Sequence, residues 1–172
     1  LEMSPKCTVL YKGSKNIDNL SMRVNAICDG VFFARDLINE PSNHLNTESF
    51  AEILVGMKAL NIGVRVVEEE ELNDIGMNAL LSVGKGSHNR PKLIILEWNG
   101  RPNSRRRLGL VGKGVMFDSG GISLKPSGGM QEMTGDMGGA GIIAGLFKVI
   151  ALRKAKANVI GLLGLVENMP DG

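Results

Sequence analysis

The chain has 172 residues, 43% of them hydrophobic, which is enough for one core or part of a larger one and excludes a disordered chain. Lys and Arg number 20 against 18 Asp and Glu, so the formal charge of +2 makes no electrostatic case for a nucleic-acid or membrane partner. Cys7 and Cys28 lack metal-type spacing and fit a reducing, cytoplasmic setting. The N-terminus has no signal-peptide pattern, and no apolar run is long and uninterrupted enough to span a bilayer.

In chain order, Val24, Ile27, Val31, Phe32, Ala34, Leu37 and Ile38 recur near a 3.6-residue period and predict an amphipathic helix over 20–38. Pro41 should stop it near Glu40. A second helix is expected from about Thr47, with Glu48 in its first turn and Phe50, Ile53, Leu54, Met57 and Leu60 turned inward. "GVRVV" reads as a strand and "VEEEELNDIG" as a short polar helix closed by Gly76. "PKLIILEW" and "RLGLVGKG" read as two buried strands joined through "NGRPNS", as an antiparallel pair or by a wider link without a crossover. Arg105, Arg106 and Arg107 form the one basic run, expected as a solvated turn. Residues 115–135 are Gly-rich without a period and are expected to form a functional loop; 137–154 is helical in pattern, and "ANVIGLLGLV" is a final strand. The alternation predicts an α/β fold, a three-layer sandwich with a mixed, mostly parallel sheet.

"VGKG" occurs at Val83 to Gly86 and again at Val111 to Gly114. The first copy is followed by His88, Arg90 and Lys92 with no acid before Glu97, a cationic stretch that would not attract a dication, so Lys85 reads as part of a loop between helix and strand. After Lys113 come Asp118 in "FDSGG" and Asp136 in "GDMGG", two carboxylates flanked by glycines at a strand end and a helix start. Taken singly, Asp136 could be a helix N-cap, and Asp118 could bond its own turn. A dinucleotide fingerprint fails on spacing because Phe117 stands where a third glycine belongs. No Walker pattern occurs, and His44 and His88 lie outside any zinc frame.

Together, "VGKGVMFDSGGISLKP", "GDMGGAG", "ENMPDG" and "ARDLINEPSN" resemble the leucyl (cytosol) aminopeptidase family of two-metal exopeptidases, over about Arg23 to Gly172. The resemblance implies that residues 1–22 are the end of a preceding segment and 23–172 the N-terminal part of the catalytic domain. It implies that Lys113 and Asp136 are ligands of the tighter metal site, with Asp136 also near the substrate amino group, and that Asp118 bridges both metals. Lys125 would be the catalytic lysine that holds the scissile carbonyl and its oxyanion, and Met133 would line the pocket for the N-terminal side chain. Zn or Mn would serve as the two dications, with Mg or Co as substitutes, and peptides with an unblocked Leu or Met at the N-terminus as substrates. Lys113 could ligate only as the neutral amine, whereas Lys125 must keep its proton to meet negative charge on the carbonyl oxygen. Thr134 and Gly135 depart from the charged or bulky residues common before this aspartate, which leaves the pocket's shape open.

Relatives continue past "ENMPDG" into a segment of the form Asn-Thr-Asp-Ala-Glu-Gly-Arg, which supplies further ligands and an arginine that holds a bicarbonate. The expectation is therefore a sandwich incomplete at its C-terminal side and a chain that is inactive alone, bicarbonate being expected only with that arginine. The resemblance also implies hexamers for the complete polypeptide. The competing reading is an anion- or nucleic-acid-binding module of the same fold without catalysis.

Overall fold

The computed structural model describes Thr8, Leu10, Lys12, Gly13 and residues 17–171. Cys7 and Gly172, both part of the expectations above, lie outside the described residues. Five α-helices are described: α1 (Ile17–Asn39), α2 (Thr47–Gly56), α3 (Glu69–Asp74), α4 (Asn78–Gly84) and α5 (Gly138–Leu152). The strands are β1 (Gly63–Val67), β2 (Lys92–Asn99), β3 (Leu108–Asp118) and β4 (Asn158–Asn168), and 3-10 helices occupy Met57–Leu60 and Met130–Met137. Helix α1 begins at Ile17 and so runs through the expected boundary at residue 22.

The sheet order is β1-β2-β4-β3, with β1/β2 and β2/β4 antiparallel and β3/β4 parallel. The α/β class and the mixed sheet are as expected, but the described pairings are mostly antiparallel rather than mostly parallel. The links differ in what they carry: the short helices α3 and α4 lie between the antiparallel β1 and β2, whereas the parallel β3 and β4 are joined by the crossover that contains α5. Strands β2 and β3 are also not partners, because β4 inserts between them. The turn linking β2 to β3 is held instead by Asn158 at the start of β4. Its Nδ2 donates to the carbonyls of Arg101 and Ser104, and its Oδ1 accepts from the Arg101 amide. Arg105, Arg106 and Arg107 are exposed, as a solvated turn requires.

Helices cover both faces. On one face α5 lies over β3 and β4, burying Ala140, Ile143, Ala144 and Phe147 with Leu163 and Leu165. Phe50, Leu54 and Met57 from α2 and the following 3-10 turn join this cluster, whereas Ile53 is 39% exposed. Helix α2 opens with a capping box: Asn46 Oδ1 accepts from the amides of Glu48 and Ser49, and Ser49 Oγ accepts from the Asn46 amide. Helix α1 packs outside α5 through Ala26, Gly30 and Leu37, not through the larger Val24, Ile27, Val31 and Phe32, which stay exposed. The two backbones cross so closely that a Cβ on Gly30 would lie 2.6 Å from the Gly145 carbonyl oxygen. Small residues thus decide which side of an otherwise apolar helix faces inward. On the opposite sheet face α4 places Leu80 near Gly164.

One described stretch, Met130–Leu152, is long and apolar enough to cross a membrane by length and composition alone. It is divided between a 3-10 helix and α5, and α5 is buried between the sheet and α1, which is how a core helix acquires that composition.

Candidate metal centre

Because β3 and β4 are parallel, their C-terminal ends open on one edge of the sheet, where Asp118 and Asn168 are the last strand residues and are register partners. In a regular strand Lys113 and Asp118 would face opposite ways, since side chains alternate. Here Lys113 pairs with Gly164, Val115 with Val166 and Asp118 with Asn168, so β3 uses one residue more than β4 between the last two pairs. That bulge restores parity and puts Lys113 and Asp118 on the same face.

Asp118 Oδ1 accepts from Asn168 Nδ2 at 2.7 Å and from the Gly120 amide at 3.0 Å, while Oδ2 is 2.9 Å from Lys125 Nζ. Asp118 therefore does bond its own turn, but the turn is one of three partners. Burial alone would raise its pKa. The hydrogen bonds from Lys125, Asn168 and Gly120, with the charge of Lys125, outweigh burial and hold it at about 2. Lys125 Nζ also donates to the Asp118 carbonyl at 3.1 Å and lies 3.2 Å from Met133 Sδ. The "GG" after Asp118 makes this loop feasible. Gly121 has φ +65°, and a Cβ there would lie 2.5 Å from Asn168 Oδ1.

Lys113 Nζ donates to Asp136 Oδ2 at 2.9 Å. Asp136 is not an N-cap, since Met137 holds that position before α5 without a side-chain cap bond. Instead it sits on the 3-10 helix Met130–Met137 together with Met133, and residues three apart eclipse on such a helix, about 6 Å along its axis. Its face toward β3 thus meets Lys125 through Met133 and Lys113 through Asp136. The structure brings all five predicted residues, Lys113, Asp118, Lys125, Met133 and Asp136, to one edge. Among the described residues no group of three His, Cys, Asp or Glu side chains forms a cluster for a metal ion, so any cation site here depends on the lysine nitrogen as a third donor. One amine and two half-buried carboxylates, each paired with a positive group, are the nitrogen and oxygen donors a dication could take here.

The first VGKG copy is elsewhere. Lys85 is the C-cap of α4, in keeping with a loop between helix and strand. Two cations that follow it in sequence are, however, paired with acids in space. Lys92 Nζ is bound by Glu68 and, at 3.0 Å, by Glu48, and Arg90 pairs with Glu69 at 3.6 Å. Those acids are distant in sequence, which is why counting neighbouring charges missed them. The loop after Lys85 docks on the end of β4: buried Glu167 accepts from Ser87 Oγ at 2.5 Å and from Asn89 Nδ2 at 2.9 Å. A cleft of about 640 Å³ separates this loop from the Gly120 to Ser123 turn, with Asn168 between them. Asn168 and Ser119, whose Oγ donates to the Asn168 carbonyl at 2.6 Å, were not singled out in the sequence, and no local pattern marks them.

Two lysine–carboxylate pairs thus meet at the ends of the parallel strands. A family model described as "Cytosol aminopeptidase family, catalytic domain" matches residues 32–172, and the chain belongs to that family. It is 54% identical over 147 residues to a probable cytosol aminopeptidase of Cereibacter sphaeroides, covering 86% of this chain and 30% of the relative. Among solved structures, leucyl aminopeptidase from Trypanosoma brucei in complex with bestatin superposes with a TM-score of 0.81 at 32% identity, over 85% of this chain and 28% of that one. The bottromycin maturation enzyme BotP in complex with Mn gives 0.79 at 36% identity, over 91% and 33%. The chain thus spans about a third of the length of the proteins it matches.

Proposed function

We propose that this chain carries the tighter metal site and the carbonyl-binding lysine of an aminopeptidase that removes Leu-like residues from peptide N-termini. The observation that supports this most directly is the pairing of Lys113 with Asp136 and of Lys125 with Asp118 along one 3-10 helix and one strand end. Lys113, Asp118 and Asp136 would hold a divalent ion, Mn or Zn by the family's preference, with Mg or Co as substitutes. When bound, such an ion supplies Lewis acidity and brings the pKa of a water toward neutrality.

The chain's own residues divide the remaining work. Asp136 accepts the proton-bearing amino group of the substrate, on the side of the helix that carries Met133, whose thioether borders the first side chain. Lys125 keeps its proton and meets charge developing on the carbonyl oxygen, for which its present partners, the Asp118 oxygens, are the ground-state substitutes. Lys113 must release its bond to Asp136 and lose its proton to ligate.

A second metal would have only Asp118 among the donors named here, so hydrolysis requires ligands beyond this set, and bicarbonate has no arginine assigned to it. A cytoplasmic setting and hexameric assembly, as the family resemblance implies, belong to the same proposal. A module that binds anions or nucleic acid is less suited to the site, because Lys113 and Lys125 are both committed to carboxylates. Hydrolysis of leucine p-nitroanilide with added Mn²⁺ or Zn²⁺ tests the reading. The 172-residue chain is expected to give none alone and turnover once the downstream family segment is supplied; turnover by the chain alone, or none with the segment, contradicts it.

A further inference from the structure

We infer that Asn168 is a positioning residue that fixes the carboxylate plane of Asp118, a role that rests on the reading of Asp118 as a metal ligand. Carboxylates that bind metals are oriented by hydrogen bonds to whichever oxygen the metal does not take, and a freely rotating carboxylate loses affinity. Asp118 has such an asymmetry built in. Two neutral donors, Asn168 Nδ2 at 2.7 Å and the Gly120 amide at 3.0 Å, are on Oδ1, and a cation, Lys125 Nζ at 2.9 Å, is on Oδ2. Two donors use both lone pairs of Oδ1, so Oδ2 is the oxygen left to face a positive charge.

Asn168 is itself held where a positioning residue must be. Its carbonyl accepts from the Ser119 amide at 2.9 Å and from Ser119 Oγ at 2.6 Å, which clamps the ends of β3 and β4 together. Its side-chain oxygen lies in the space left open at Gly121. One residue earlier, Glu167 is 7% exposed and fastened to Ser87 and Asn89, which anchors the strand end. From that anchored position Asn168 Nδ2 reaches Asp118. A neutral donor suits this position better than a second ammonium, since it orients the carboxylate without competing with a dication for its charge.

The test is titration of the metal-free chain with Mn²⁺ by calorimetry, beside thermal unfolding, for the parent, Asn168→Leu, Asn168→Ala and Ser87→Ala. Both Asn168 variants remove the donor, and alanine covers the case in which leucine does not fold. Ser87→Ala loosens the same strand end through Glu167 without touching Asp118. The expected result is a 10- to 100-fold weaker Mn²⁺ affinity for the Asn168 variants, with Ser87→Ala within about threefold of the parent even where its melting temperature falls as far. Asn168 variants that bind Mn²⁺ within about threefold of the parent overturn the positioning role, as does an equal loss in Ser87→Ala. A parent chain that binds no Mn²⁺ overturns the metal-site reading as well, which separates the two failures.

Discussion

Lys113 and Asp118 lie on the same face of β3 only because one extra residue bulges between Val115 and Asp118. The bulge converts an odd spacing, which regular pleating would split across the sheet, into a shared site. Deleting Phe117 should remove the extra residue and leave Lys113 and Asp118 four apart, an even spacing that regular pleating keeps on one face. Mn²⁺ affinity is then expected to stay within about tenfold of the parent, and a loss of more than about a hundredfold would count against this role of the bulge. Calorimetric titration, with circular dichroism to verify folding, measures it.

Thr47 is fully buried at the start of α2, and its Oγ1 has no hydrogen-bond partner. The helix start is already satisfied by the Asn46 and Ser49 box, so the hydroxyl contributes only a desolvation cost. Thr47→Val keeps the shape and should stabilise the chain by about 1 kcal/mol, raising the melting temperature by about 2–4 °C. Asn46→Ala should do the reverse by about the same amount. Differential scanning calorimetry reads both.

Lys92 is 4% exposed in β2 and bridges α2 and the β1–α3 junction through Glu48 and Glu68. Burial alone would lower its pKa, but hydrogen bonds and charges from Glu68 and Glu48 outweigh it and hold the pKa above 10.5. A raised folded pKa means that the ammonium's contribution is fully present below 10.5 and is lost as pH rises through the folded value. Glu48→Gln combined with Glu68→Gln should therefore destabilise the chain by about 1–3 kcal/mol near neutral pH, with the gap to the parent closing above pH 10.5. Urea unfolding midpoints across that range measure it; a gap that widens at high pH would count against the assignment.

Local signals carried much of the outline. The 3.6-residue period placed α1, Pro41 marked its end, and Thr47 opened α2 where Asn46 caps it. Gly76, with φ +75°, ends the α3 turn region as its position suggested. The lysines and aspartates were singled out because one dense glycine-rich block resembles a known family, not through their spacing alone. What stayed hidden depends on partners far away in sequence. The insertion of β4 between β2 and β3 is invisible in either strand's pattern, as is the choice of α1's small-residue side against Gly145. The bulge appears only through β4's register, Asn168 matters only because β4 ends beside β3, and the charges around Lys92 come from α2 and the residue before α3.

In the function proposed above, Lys113, Asp118 and Asp136 hold one dication, and Lys113 ligates while Lys125 does not. Equilibrium dialysis against Mn²⁺ or Zn²⁺, with bound metal counted per chain, tests this on the parent, Lys113→Ala, Asp136→Asn and Lys125→Ala. One metal is expected in the parent, with loss in Lys113→Ala and Asp136→Asn and retention in Lys125→Ala. No metal in the parent, or equal loss in Lys113→Ala and Lys125→Ala, would contradict it.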